Sequence, residues 1–363
     1  MNSLSLNQPP TRRTWPIVRR ISALLDRYGD ILWWLHSLWG LVVGVAVMWV
    51  GARHYGLLRV AVFQIAFIWF ASLVAPALVR RAADSKWVHR LRLVINYFSR
   101  NFYQQLLYFL LPIYYASATA WSPNLLFVAF LAVSALLSTL DVVYDRQLSV
   151  RRSVMAVFFA FNLFVCINVM LPVVWSVSNM SAMRISGALA LVAFVTILFG
   201  GRHVPWRSAS IVIVASAALL AVTVEFGRPL IPPAPLRLVT STFSLEVDRR
   251  TRAAARPVDR LDPGWTGRVY ALTAISAPMG LEDRVAHRWY GNGRLLCSSS
   301  YYRLVGGRKE GFRLWTSCAV NALAGGRLTV DVKTEGGQLI GRAEIPVEAA
   351  PATIGDPKLP APF

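Results

Sequence analysis

Asp141 and Asp145 stand four residues apart at the end of a long apolar run. On a helix they share a face, and two carboxylates on one face can hold a cation or relay a proton. Arg146, Arg151 and Arg152 follow closely, so ion pairing at a water boundary is the simpler reading. Asn162 and Asn168 lie inside the next apolar run. Amides there either hydrogen-bond between helices, for about 0.6 kcal/mol each, or line a polar path. Other chemistry is sparse. Of the five histidines, His54 and His287 fall on the outer side of the topology derived below, and neither has a nearby Cys or His at metal-ligand spacing. Ser298, Ser299 and Ser300 form a run without a matched base, and no nucleophile elbow or nucleotide fingerprint is present. No metal or cofactor is expected.

The elements around these residues are mostly apolar. The chain has 363 residues, 55% hydrophobic and 15% charged, with mean hydropathy +0.47; a soluble protein carries about 25% charged residues. Stretches 31–50, 57–79, 102–120, 124–143, 153–175, 182–199 and 208–226 each approach the roughly 20 residues that span a bilayer. About seven transmembrane helices are expected, with a basic arm at 1–30. Sixteen Lys and Arg residues gather in the N-terminal arm and in every second gap, ending with Arg202 and Arg207. Basic residues stay in the cytoplasm, so the N-terminus is expected inside and the C-terminal region outside. Net charge is +20, and residues 1–235 hold 20 Lys+Arg against 6 Asp+Glu. That places most of the excess in topology and argues against a nucleic-acid partner.

Residues 227–235 read GRPLIPPAP, a Pro-rich linker expected to be stiff and extended. Beyond it the period becomes two: Leu328, Val330 and Val332 alternate with Thr329, Asp331 and Lys333. Asn292-Gly293 and Gly336-Gly337 are two-residue hairpin signals. Strands are expected at 236–247, 268–276, 284–290, 294–303, 312–320 and on both sides of Gly336-Gly337, with 249–264 a loop. Seven short strands suggest an immunoglobulin-like β-sandwich over 236–350, followed by a flexible tail at 351–363. If 306–309 is a hairpin loop, the register sets Cys297 opposite Cys318, about 4.5–5.5 Å apart and within disulfide reach. An exported domain makes that bond durable; Cys166, inside an apolar run, reads as a core residue.

The segment from His287 to Gly293, then Gly306-Gly307-Arg308, then Gly311 to Ser317, resembles a bacterial domain of unknown function. That domain is found at the C-terminus of uncharacterised multi-pass inner-membrane proteins, and the segments NFYQQLLYFLLPIYYAS and LSTLDVVYDR are similar to their membrane half. The resemblance implies a fold and a location and supplies no catalytic residues. The leading expectation is a non-enzymatic inner-membrane protein whose periplasmic sandwich binds an envelope protein or an anionic polymer. Arg288, Arg294, Arg303, Arg308 and Arg313, with Trp289 and Trp315, form the surface to test. The alternative is a transporter or lipid-handling enzyme using Asp141, Asp145 and the amides of the third and fifth spans.

Overall fold

The computed structural model describes residues 35, 38–49, 63–71, 86–140, 151–200, 204–248, 250–251, 253–321, 323 and 325–348. Helices come first: α1 Leu38–Trp49, α2 63–71, then α3 Lys86–Ala116, α4 Asn124–Thr139, α5 Arg152–Trp175, α6 Asn179–Phe199 and α7 Trp206–Phe226. A β region follows.

The expectation of about seven transmembrane helices is corrected. Among the described residues three helices, α5, α6 and α7, are long and apolar enough to cross a membrane. Helix α4 is apolar but has 16 residues, a rise of about 24 Å against a hydrocarbon core of about 30 Å. Helix α3 has 31 residues, yet Lys86, Arg90, Arg92, Arg100, Gln104 and Gln105 dilute its apolar character. The basic stretch around Trp87 is one continuous helix with the rest of α3. Stretches 31–50 and 57–79 fall partly outside the described residues, and Asp141 and Asp145 wholly so.

Leu106, Leu110 and Ile113 of α3, Leu131 of α4 and Phe159, Val165 and Val169 of α5 form one core. The buried Tyr114 hydroxyl donates to Val165 O at 3.1 Å and accepts from Asn168 Nδ2 at 3.0 Å, tying α3 to α5. Arg152 reaches from the start of α5 to the end of α6, where it donates to Ile197 O and Gly200 O. A guanidinium there satisfies the carbonyls that a helix end leaves open and opposes its dipole.

The β region holds two main antiparallel sheets and a two-stranded ribbon. Its strands are β1 Arg237–Ser244, β2 Val247–Asp248, β3 Ala253–Ala254, β4 Pro257–Val258, β5 Gly267–Ser276, β6 Arg284–Gly291, β7 Arg294–Ser298, β8 Tyr302–Arg303, β9 Phe312–Val320, β10 Gly326–Thr334 and β11 Leu339–Val347. One sheet runs β4-β1-β5-β9; the other runs β11-β10-β6-β7, with β8 beside β6. Alternation sets the faces: Leu314, Thr316 and Cys318 of β9 are buried, while Arg313, Trp315 and Ser317 point outward. Val269, Ala271 and Cys318 of the first sheet pack with Trp289, Val330 and Ile345 of the second.

Several local expectations change. The 249–264 segment contains β3, which pairs with β2, and β4, which pairs with β1. The Asn292-Gly293 turn has φ of 49° and 81° at its two residues, the left-handed pair that a two-residue hairpin requires. Cys297 and Cys318 are joined, with Cα atoms 6.2 Å apart, but they do not face each other in a hairpin. Strand β7 pairs with β6 and β9 with β5, so the bond links the two sheets. The linker is no exposed spacer, because residues 231–236 are buried. Ile231 packs with Met183 and Val224, Ala234 joins the helical core and Leu236 the β core.

Candidate functional site

The joint between helices and sheets is built from side chains far apart in sequence. Ser178 caps the start of α6, its hydroxyl accepting from Ser181 N at 3.2 Å. The next backbone donor, Asn179 N, and the Asn179 amide both donate to Asp283 Oδ2 at 3.3 Å. Asp283 precedes β6, so the β region supplies an anion to a helix N-terminus, where the dipole favours one. Burial pushes its carboxyl above the usual range, and hydrogen bonds from Arg284 and Asn179 offset part of that shift. On the same side the β10–β11 turn reaches the linker: Gln338 Nε2 donates to Ile231 O at 3.0 Å and Arg228 Nη1 to Gly336 O at 3.5 Å. Asn124 Nδ2 donates to Leu339 O at 3.4 Å from the start of α4.

Beside these contacts opens a cleft of about 600 Å³, lined by Ser178, Met180, Arg184, Arg228, Glu282, Asp283, Arg284, Arg303, Glu335 and Gly336. Glu225 bridges Arg184, at 2.8 Å, and Arg228. Arg303 pairs with Glu282 at 3.3 Å and Arg284 with Glu335 at 3.7 Å. Both partners of these last two pairs are exposed, so each pair contributes about 0–1 kcal/mol and can be exchanged for a ligand. The cleft therefore presents both signs of charge where α6 and the end of α7 meet the β region.

Residues 12–266 match a family of unknown function, DUF5924. The chain belongs to that family. Residues 282–347 match a second description, a protein of unknown function (DUF2914). The resemblance to uncharacterised proteins is met at that level, and the matches do not bear on membrane topology. No curated protein matches the chain. Among solved structures, the Pseudomonas fluorescens alkylpurine DNA glycosylase AlkC, bound to DNA containing an abasic site analog, is similar at 13% identity over 77% of each chain with a TM-score of 0.21. A score that low carries no argument. The two family matches divide inside the β region, and β5 falls between them.

The seven surface residues singled out in this DUF5924 chain do not form one site. Trp289 is wholly buried in the β core and leaves the list. Arg288 lies on the outer side of the larger sheet against Tyr301 and Tyr290. Trp315 lies on the outer side of the smaller sheet against Tyr270, ring centres 6.2 Å apart. Arg313 pairs with Glu310 at 2.6 Å, and Arg308 lines a shallow hollow with Lys309 and Thr251. Arg294 follows the Asn292-Gly293 turn. Of the seven, Arg303 alone lines the junction cleft. Asn168 joins two helices, as above, and Asn162 Nδ2 donates at 2.7 Å to Phe158 O of its own helix.

Sequence reading missed the buried centre of the β region. His287 is fully enclosed; its Nε2 contacts Thr273 Oγ1 at 2.9 Å and its Nδ1 contacts Thr316 Oγ1 at 2.7 Å. Trp289 Nε1 also donates to Thr316 Oγ1 at 3.1 Å. Burial lowers the histidine to about 4, so it is neutral near pH 7 and bridges the sheets as a polar core group. Asp331 is likewise missed: Arg342 grips it with two bonds, at 2.6 and 3.1 Å. Period-two alternation places Asp331 and Arg342 on strands, but only the β10–β11 register sets them opposite each other. Among the described residues no group of three or more His, Cys, Asp or Glu is placed to hold a metal.

Proposed function

We propose that this protein is a non-catalytic anchor and docking platform of the bacterial inner membrane. Helices α5, α6 and α7 cross the bilayer, and the β region stands on the periplasmic side. The orientation follows from Arg151 and Arg152 at the start of α5 and from Arg202 and Arg207 around the α6–α7 connection, since basic residues stay inside. The Cys297–Cys318 bond suits an oxidising compartment. Trp121 and Trp175, 97% and 60% exposed on the β side of the helices, suit the headgroup level, where indole rings collect.

The observation that carries this reading is the buried joint. A domain fastened by Asp283, Gln338 and the 231–236 plug is held in one orientation, so the cleft keeps a fixed position at the membrane surface. A polar partner bound there would be presented in register with the bilayer. An anionic polymer is less well supported as that partner, because the arginines outside the cleft, Arg260, Arg313, Arg327 and Arg342, each already face a carboxylate.

Photo-cross-linking in cells tests it, with a benzophenone amino acid at Met180 in the cleft and at the exposed Ala319 on the smaller sheet. Discrete adducts from position 180 and none from 319 are expected. Adducts from 319 alone would overturn the assignment of the cleft. An impermeant maleimide should label Ala319→Cys in intact spheroplasts; labelling only after lysis would reverse the topology.

A further inference from the structure

We infer that the junction cleft holds a zwitterionic phospholipid headgroup, a phosphodiester carrying a primary ammonium. This rests on the reading that α5–α7 cross a bilayer, and it names the cleft's ligand. The charges argue for a zwitterion. A purely anionic group would meet Glu282 and Glu335 as well as the arginines, and a simple cation would meet Arg184, Arg228, Arg284 and Arg303. A phosphate and an ammonium in one ligand satisfy both sets. Arg228 sets its Nη1 on Gly336 O and pairs with Glu225, and a phosphate would compete for that guanidinium, because guanidinium–phosphate bonds are among the strong charge-assisted ones. The ammonium of such a headgroup carries N–H donors for Glu282 and Glu335, which a quaternary ammonium lacks.

Position argues for a lipid rather than a soluble molecule. Arg228 follows directly on α7, the helix with the least cover: Phe226, Val222 and Leu219 are 80%, 55% and 68% exposed. A headgroup held by Arg228 would lay its acyl chains along that apolar face. The cleft, at about 600 Å³, lies within the range of about 300–1,000 Å³ usual for small-ligand sites.

Native mass spectrometry of the full chain in detergent tests the inference with added dioleoyl-phosphatidylethanolamine, -phosphatidylglycerol or -phosphatidylcholine. Phosphatidylethanolamine adducts should exceed the other two at least fivefold. Arg228→Gln and Glu335→Gln should each reduce them about fivefold. Arg303→Gln, at a side chain 76% exposed and safe for folding, should reduce them two- to threefold, and Arg313→Gln on the far face should change nothing. Equal or stronger phosphatidylglycerol binding, or unchanged adducts in all three cleft variants, would overturn the proposal. Displacement of the lipid by soluble O-phosphoethanolamine at equal concentration would reassign the ligand to solution and overturn the lipid assignment. Alkaline carbonate extraction separates the two failures: release of the chain from membranes refutes the anchor, whereas a retained chain without headgroup preference refutes this inference alone.

Discussion

Helices α5 and α7 are similarly apolar, yet 61% of the central stretch of α5 is buried inside the protein and 6% of that of α7. Their polar residues report the difference. Asn168 of α5 reaches across to Tyr114, a partner on another helix. Thr223 of α7 turns back, its hydroxyl donating to Leu219 O at 2.8 Å, and so directs its one donor within its own helix. Asn162 of α5 also turns back on its own helix, so it is the bond across to another helix, which Asn168 makes, that marks a face packed against protein.

The sharpest test truncates one large apolar side chain on each. Phe159→Ala, at a fully buried ring of α5, should cost about 3–5 kcal/mol in a reversible unfolding titration in micelles. Ile211→Ala, at a residue 69% exposed on α7, should cost under about 1 kcal/mol because lipid or detergent refills the space. Equal costs would mean that protein, not lipid, covers α7.

The β region carries the comparison to a polar group enclosed by its own fold. His287 is lowered from 6.5 to about 4, so between those pH values the unfolded chain binds the extra proton and the folded chain does not. Its stabilising contribution is complete above pH 6.5 and is lost as pH falls toward 4, a total of about 3 kcal/mol. Thermal melts at pH 7, 5.5 and 4.5 should show this fall, and His287→Gln should flatten it. An unchanged slope in the variant would assign the acid sensitivity to other groups.

The smallest effect belongs to the joint, where polar groups of the two halves meet. Asp283→Ala leaves two donors of Asn179 unpaired and should cost about 1–2 kcal/mol. Asp283→Asn keeps an acceptor and sheds a charge that burial disfavours, so it should cost less than half as much. An asparagine variant as damaged as the alanine one would show that the charge itself, through the α6 dipole, holds the joint.

Local pattern was legible and distant partnership was not. Alternation in Leu328, Val330 and Val332 marks β10, and Asn292-Gly293 marks the turn between β6 and β7, because both signals sit within a few residues. The pairing of Cys297 with Cys318 follows from their shared region, but the hairpin geometry used to derive it was wrong: Tyr302 and Arg303 pair with β6, leaving no β7–β9 ladder. Arg152 counts as a topology charge in sequence, whereas its guanidinium caps a helix end 45 residues on. Asp283 reads as one more loop carboxylate, because Asn179, 104 residues away, is what gives it a role. The prolines of the linker suggest a stiff, extended spacer, and nothing in them says that residues 231–236 would be buried. The span count failed for a related reason, since length and apolarity are assessed run by run and α3 and α4 end where the elements themselves end.

Strand β5 has one further consequence. It stands between β1 and β9, and it belongs to neither matched segment. A fragment cut to residues 282–347 would keep β9 with no hydrogen-bonded neighbour in its sheet and would strip the cover from Thr316 and His287. The gap between the two family matches therefore falls inside one sheet, and a cut there would separate strands that pair.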